Sequence, residues 1–573
     1  MDQNWWRETS IYQIYPRSFC DSNGDGIGDI RGIISKLDYL YDLGVETLWL
    51  SPIYCSPQKD HGYDISDYTS INPEYGTMED VDELIRSVHD RGMKIIFDMV
   101  MNHTSDQHEW FRDSALRRNG KDDWYIWTDE PNNWRSMLGN KGWIYNEERK
   151  QYYFASFLSF QPDLNYRNPE VKAAMLNVVK FWMDKRVDGF RLDIFNVIYK
   201  DESLDHNPFS WRVIPSHEEV DGYFQKKTNT INHPDTIAFA KELRKFVDTQ
   251  SSVKQDRFLL GEIFGNPEQI KAFMGTKSDP GLNLVFMFKT LNFKFQAKYF
   301  KNLIQEFEHH YPSPNYTPVI VFSNHDIRRM VYRLNGHMAK VKVIATLQMT
   351  LRGVPCVYYG EEIGMTESNI RLYDAQDPVA GQFRSTVPQF IYDSRLMKNL
   401  SMNRDNCRTP MQWTKDTSTH NGFSKHFVPT DKKTSKDLAN PWLPVNEDSV
   451  RGINVETQKD EEHSMLTTYR RLLQLRKSEP ALFRGKLKLC DSLKSKGLLC
   501  YERFDEKSQG RVIVLCNFKS RRSMSIDLSK KIKQDPEIIF STDQRNSMKK
   551  GRQEVELYGP SAIILQSRGE LET

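Results

Sequence analysis

The stretch Gly189-Phe190-Arg191-Leu192-Asp193 ends a short strand-like run with an arginine and an aspartate two residues apart. Side chains alternate along an extended chain, so Arg191 and Asp193 leave the same face. Similar β-branched and aromatic runs occur at residues 12–19, 45–52, 94–100, 258–263, 319–324 and 354–359. Amphipathic stretches such as 78–85 and 172–183 separate them, with apolar residues three and four apart. That alternation predicts βαβ units and a parallel sheet. A closed (β/α)8 barrel needs one more strand, and residues 284–288 are the stretch that supplies it.

Residues 104–169, between the third and fourth runs, are rich in Trp, Asn, Asp and Gly and too long for a simple connection, which predicts an inserted small domain. After the helix-like segment 465–477, short alternating runs at 498–501, 512–515 and 562–565 predict a carboxy-terminal antiparallel β-sandwich. The expected organisation is a barrel built from residues 1–103 and 170–484, an insert over 104–169 and a sandwich over 485–573. The polar segment 416–436 and the basic run 519–522 are expected to be solvated loops.

A chain of 573 residues can bury a large core and carry smaller appendages. Its 12 Trp, 26 Tyr and 31 Phe exceed what a minimal core requires, and aromatic rings suit the apolar faces of sugars, although most must serve the core. The formal net charge of +2 leaves no electrostatic footprint for nucleic acid or an anionic membrane, so a neutral ligand fits best. The first seven residues, Met1-Asp2-Gln3-Asn4-Trp5-Trp6-Arg7, lack a basic region followed by an apolar one, and no window approaches 18 apolar residues, which predicts a cytoplasmic protein without a membrane span. Seven cysteines without a CxxC pair read as free thiols. Asn102-His103-Thr104 matches a glycosylation acceptor, a chance match in a cytoplasmic chain.

Barrels keep their catalytic groups at the carboxy-terminal ends of strands. Four such ends carry acids or histidines: Asp98-Met99-Val100-Met101-Asn102-His103, the stretch ending at Asp193, Gly261-Glu262-Ile263-Phe264, and Phe322-Ser323-Asn324-His325-Asp326. Hydrolysis of a glycoside with retention needs two carboxyl groups about 5 Å apart, one ionised and one protonated. A guanidinium beside Asp193 favours its ionised form, whereas Glu262 follows the apolar run Phe258-Leu259-Leu260 and is the better proton donor.

These four blocks resemble, in order and spacing, the four sequence regions of the α-amylase superfamily, glycoside hydrolase family 13. Gln161-Pro162-Asp163-Leu164-Asn165 and Arg408-Thr409-Pro410-Met411-Gln412-Trp413 resemble signatures of its oligo-1,6-glucosidase and α-glucosidase group. The resemblance implies a TIM barrel, Asp193 as nucleophile, Glu262 as acid/base and Asp326 as a third carboxylate bonding the ring hydroxyls. It also implies His103, His325 and Arg191 as partners of the glucosyl subsite, with Gln161 and Phe157 bordering it. Asp60, Tyr63 and Arg408 match the residues that close this subsite around a terminal glucose, which implies exo-action; the expected partner is a small neutral oligosaccharide, and the expected assembly a monomer or small homo-oligomer. Ile194 follows the nucleophile where, in the resembling group, Val accompanies a preference for α-1,6 bonds and Thr for α-1,4 bonds, so an α-1,6 preference is expected.

Asp21-Ser22-Asn23-Gly24-Asp25-Gly26-Ile27-Gly28-Asp29 begins like an EF-hand loop, but the twelfth position is Gly32 rather than a bidentate glutamate. It resembles instead the calcium loop of this glucosidase group, which implies a structural Ca2+ held by Asp21, Asn23, Asp25, the Ile27 carbonyl and Asp29. Asn324-His325-Asp326-Ile327-Arg328-Arg329 and His61 depart from the group's usual residues toward the aglycone side. A transglucosylase or a sucrose- or trehalose-type isomerase would use the same machinery. The inactive accessory subunit of an amino-acid transporter is a further alternative, which expects a membrane helix and does not need every catalytic position filled.

Overall fold

A computed structural model describes residues 4–250, 256–384, 387–392, 402–424, 438–493, 495–519, 521–529, 536–549 and 553–566. Eight parallel strands form a closed barrel: β1 (Ile11–Ile14), β2 (Thr47–Leu50), β3 (Lys94–Met99), β4 (Gly189–Leu192), β5 (Phe258–Gly261), β6 (Leu284–Phe286), β7 (Pro318–Val321) and β8 (Val354–Tyr358), each beside its sequence neighbour, with β8 beside β1. Residues 284–288 do supply the remaining strand, the sixth in order. The barrel strands are buried along almost their whole length, as a parallel sheet covered on both faces requires.

The expected run 12–19 is corrected: β1 stops at Ile14 and a helical turn, Pro16–Phe19, follows. Proline at the first position of a turn gives up no hydrogen bond there and presets its φ, whereas inside a ladder it would remove one. At 189–193, 258–263 and 319–324 the strands end one to three residues early, so Asp193, Glu262 and Asp326 lie in the loops beyond them. The helices extend past the readable periodicity, to Met78–Asp90 and Pro169–Asp184, capped by Thr77 and Asn168.

The chain divides into two compact units, Trp49–Phe288 and residues 2–48 with 289–573. In the first, the segment after β3 holds a small antiparallel sheet, Trp127–Thr128, Gln151–Phe154 and Trp143–Asn146, over a core of Trp134, Trp143 and Phe154. Part of the aromatic surplus is therefore used in packing. In the second, a five-stranded and a three-stranded antiparallel sheet share one core, in which Ile513, Leu515, Ile563 and Leu565 meet Met524, Ile526, Val555 and Leu557. That is sandwich packing. All seven cysteines are free thiols. Asn102 is fully buried, which bars glycosylation there. Residues 425–436 of the polar segment and Ser520 of the basic run lie outside the described residues.

Candidate active site

The register of β3, β4 and β5 brings one cluster together in the first unit. Asp98 on β3 pairs with Arg191 on β4, and Leu192 on β4 pairs with Gly261 on β5. Asp193 and Glu262 thus step off neighbouring strands at the same level, one residue beyond the last ladder pair. Main-chain bonds hold them there: Asp193 N donates to Met99 O at 3.1 Å, Glu262 N to Leu192 O at 3.0 Å and Phe195 N to Glu262 O at 3.0 Å. Arg191, 1% exposed, forks across the group. Its Nη1 donates to Asp98 at 2.8 and 3.0 Å and to Asp193 at 2.7 Å, and its Nη2 donates to Glu262. Burial alone would lower its pKa, but Asp98, Glu262, Tyr63 and Asp193 raise it well above the usual range and keep it charged.

Asp98 also accepts from Trp49 Nε1 at 3.2 Å and Tyr63 Oη at 3.0 Å. Burial, with Asp193 nearby, pushes its carboxyl above the usual range against the pull of Arg191. Sequence reasoning quoted Asp98 without assigning it a part, because its partner became visible only through the strand register. The expected division between Asp193 and Glu262 is also modified. Phe258, Leu259 and Leu260 are fully buried as anticipated, yet the guanidinium reaches both carboxyl groups, since neighbouring strands about 4.8 Å apart lie within its span.

Around this cluster, His103 Nε2 lies 3.1 Å from the Tyr63 carbonyl, and burial lowers its pKa, so it is neutral and donates. The Phe157 ring lies 5.3 Å from that of His103. Asp60 accepts from Gln161 Nε2 at 3.0 Å, while Asp64 accepts from Lys59 N at 3.0 Å and Asp60 N at 2.9 Å and fixes the turn between them. Ile194 is half-buried with φ 33° and ψ 51°, a left-handed conformation that a β-branched residue adopts only under constraint. Its amide donates to Glu262 at 3.3 Å. Asn196 and Asn232 both donate to the Phe264 carbonyl, at 2.8 and 3.1 Å, tying the loop after β4 to the loop after β5.

In the second unit Asp326 has a 34% exposed side chain and accepts from Arg408 at 3.1 Å and Arg404 at 3.4 Å, with His325 Nε2 at 3.1 Å. His325 Nδ1 takes a bond from Gln13 at 2.8 Å, so its Nε2 carries the proton toward Asp326. Arg408 is fully buried, donates from Nε to the His325 carbonyl at 2.8 Å, and its Nη1 has no hydrogen-bond partner among the described residues. Arg404 is the support that sequence reasoning missed. It precedes the quoted Arg408 block by four residues and is anchored on Asp377 at 2.7 Å, which it holds below the usual carboxylate range despite burial.

Residues 13–485 match the α-amylase catalytic domain. The chain belongs to the α-amylase family. It is 36% identical over 538 residues to a probable α-glucosidase of Rhizobium meliloti, covering 90% of this chain and 89% of that protein. It is also 36% identical over 512 residues to an oligo-1,6-glucosidase of Bacillus cereus, covering 85% and 86%. The crystal structure of the α-glucosyl transfer enzyme XgtA superposes with a TM-score of 0.83 at 34% identity, over 98% of this chain and 99% of that one. Trehalulose and isomaltulose synthases share the same fold at similar scores.

Where this α-amylase-family chain departs from the usual pattern, Arg328 is buried with its guanidinium 4.9 Å from the Tyr332 ring centroid and 5.1 Å from that of Tyr392, and its Nη1 lies 3.9 Å from Glu367. The Asp21–Asp29 loop is a chain of side-chain-closed turns. Asp21 accepts from the amides of Asn23, Gly24 and Gly26, Asn23 from Asp25, Asp25 from Ile27, and Asp29 from Ser22 and Gly32. Gly24 and Gly26 have φ of 80° and 88°, which the sharp turn requires. The side chains of this loop offer only oxygen, the ligand type of a hard cation, but they accept from its own amides, and among the described residues no group of three or more Asp, Glu, His or Cys side chains is placed to hold a metal ion.

Proposed function

We propose that the protein is a retaining, exo-acting α-glucosidase that removes terminal α-linked glucose from short oligosaccharides, with α-1,6 links preferred over α-1,4. The observation that carries this reading is the pair Asp193 and Glu262, leaving adjacent strands in register and bonded to one buried guanidinium. Neighbouring strands are about 4.8 Å apart, close to the carboxyl separation of about 5–5.5 Å that retention needs and short of the wider gap that admits a water. Asp193 attacks the anomeric carbon as Glu262 protonates the leaving oxygen, and Glu262 then deprotonates the water that releases glucose. Asp326, supported by His325, Arg404 and Arg408, is assigned to the ring hydroxyls.

Exo-action is proposed from the match of Asp60, Tyr63 and Arg408 to the residues that close the subsite around a terminal glucose, and the unpaired Nη1 of Arg408 supports its part as a donor to a hydroxyl. His103, Gln161 and Phe157 border it. The α-1,6 preference is supported by the apolar Ile194 and by the oligo-1,6-glucosidases among the relatives. The Asp21–Asp29 loop is assigned a structural calcium ion, held by Asp21, Asn23, Asp25, the Ile27 carbonyl and Asp29.

The test is intact-mass analysis after mixing with an aryl α-glucoside. Glu262→Gln should accumulate a glucosyl adduct on Asp193 because a good leaving group needs no acid, whereas Asp193→Asn should form none. An adduct on Asp193→Asn would refute the assignment. A second reading, glucosyl transfer or isomerisation, is favoured by the solved transferase and synthases of the same fold. Product analysis on sucrose, maltose and isomaltose separates the two, since hydrolysis gives free glucose and transfer gives a new glycoside.

A further inference from the structure

Ten large hydrophobic side chains are exposed among the described residues, and five of them lie within the excursion that follows β4. They are Phe209 (57%), Trp211 (87%), Val213 (51%), Ile214 (69%) and Phe224 (51%). Solitary exposed apolar residues are ordinary, but a cluster of this density is not. The Phe209 ring meets Trp211 at 4.9 Å and Phe224 at 6.4 Å, so the three rings form one surface, and the exposed Val213 and Ile214 follow Trp211 closely in the chain.

Beyond a short 3-10 turn at Phe195–Val197 the excursion forms no helix or strand up to Pro234, yet it is tightly pinned. Ser210 N donates to Phe224 O at 3.1 Å, Phe224 N to Arg212 O at 3.0 Å, Tyr223 N to Val213 O at 2.8 Å and Lys226 N to Pro208 O at 2.8 Å. Buried Lys227 ties its base to the inserted segment, donating to the Arg135 and Ser136 carbonyls at 3.0 and 3.1 Å. The patch is therefore a preorganised surface, and binding through it would not first have to order a loop.

We infer that this patch is the docking surface for a second copy of the chain, pairing patch to patch about a two-fold axis. Taking ~200 Å² for each aromatic side chain and somewhat less for Val and Ile, it exposes roughly 600 Å² of apolar surface. That reaches the upper end of about 300–600 Å² for the largest patch on a typical monomer, and with a polar rim approaches the ~800 Å² per partner of a stable interface. The same excursion carries both charge signs, with Arg212, Lys226, Glu218 and Glu219 exposed and Asp221 half-buried, so a symmetric pair can match opposite charges across the axis. An anionic membrane would call for a basic rim instead. A sugar would call for convergent polar groups beside the rings, whereas the other large side chains this excursion exposes include the apolar Val213 and Ile214.

The experiment is sedimentation of the full chain across the micromolar range, native and with Trp211→Glu or, separately, Ile214→Glu. Both residues are so exposed that the variants should keep the native circular dichroism spectrum and a cooperative melt, which verifies folding. The native chain should sediment with the mass of two chains, and each variant with the mass of one, dimerisation weakening by about 100-fold or more. A native chain that stays single, or dimers that persist in both variants, would overturn the inference. Quenching of Trp211 fluorescence by isomaltose without a change of mass would overturn it in favour of a sugar platform. Flotation of the native chain but not Trp211→Glu with phosphatidylcholine vesicles would overturn it in favour of a lipid surface.

Discussion

Replacing Arg191 with lysine keeps the charge and removes the fork. In the native cluster Nη1 serves Asp98 at 2.8 and 3.0 Å and Asp193 at 2.7 Å, while Nη2 alone reaches Glu262. One ammonium cannot occupy both positions, so at least one charge-assisted bond goes, worth about 1.5–3 kcal/mol, and kcat/KM should fall by ~10–150-fold. Arg191→Met deletes the cation and leaves three carboxyl groups without it. Breaking such a buried arrangement costs about 3–5 kcal/mol of stability, so Arg191→Met should melt well below Arg191→Lys. The substrate separates the two sides of the fork. If lysine stays with Asp98 and Asp193, the disturbed group is Glu262, and an aryl α-glucoside, which needs little protonation, should lose less activity than isomaltose. The assay is kcat/KM on both substrates beside a thermal melt. Arg191→Lys within about twofold of native on isomaltose would show that the fork does not organise the two carboxyl groups.

Other outcomes follow from particular contacts. His108 accepts the Trp110 amide at 3.1 Å through Nδ1, and burial lowers its pKa from 6.5 to about 4. The unfolded chain takes up this proton below 6.5 and the folded chain only near 4, so stability is fully present above 6.5 and lost as pH falls from there, by on the order of 3 kcal/mol. His108→Asn keeps a capping side chain and should flatten this acid slope in denaturant midpoints; an unchanged slope would exclude His108 as its source. Ile194→Thr should move the isomaltose-to-maltose ratio of kcat/KM toward maltose by up to about tenfold, and no movement would remove this position from specificity. Chelation should lower the melting temperature more than it lowers turnover at low temperature, because a metal bound only to the folded chain stabilises it by mass action. Loss of turnover in a fully folded sample would contradict a structural ion. Asn196→Ala should destabilise by about 2 kcal/mol and lower kcat more than it changes KM, with kcat kept at the native level counting against a positioning role.

The barrel was legible because its strands are short apolar runs separated by amphipathic helices, and the carboxylates because each ends such a run. What could not be read depends on register. Asp98 and Arg191 lie 93 residues apart, and only the parallel pairing of β3 with β4 sets them opposite each other. The same holds for Asn196 and Asn232, whose shared acceptor is a backbone carbonyl that no side-chain pattern announces. Ile194 shows a second limit. Its side chain was readable as apolar, but its left-handed backbone follows from a requirement on its neighbours: the chain must turn out of β4 directly after Asp193 while the Ile194 amide still reaches Glu262. Thr is also β-branched, so Ile194→Thr leaves this backbone cost nearly unchanged and alters chiefly the side chain offered to the substrate. Glycine would relieve the strain and loosen the turn that separates the two carboxyl groups. An effect of Ile194→Gly on kcat with little effect on the isomaltose-to-maltose ratio, set beside the opposite pattern for Ile194→Thr, would therefore separate the geometry this residue imposes from the surface it presents.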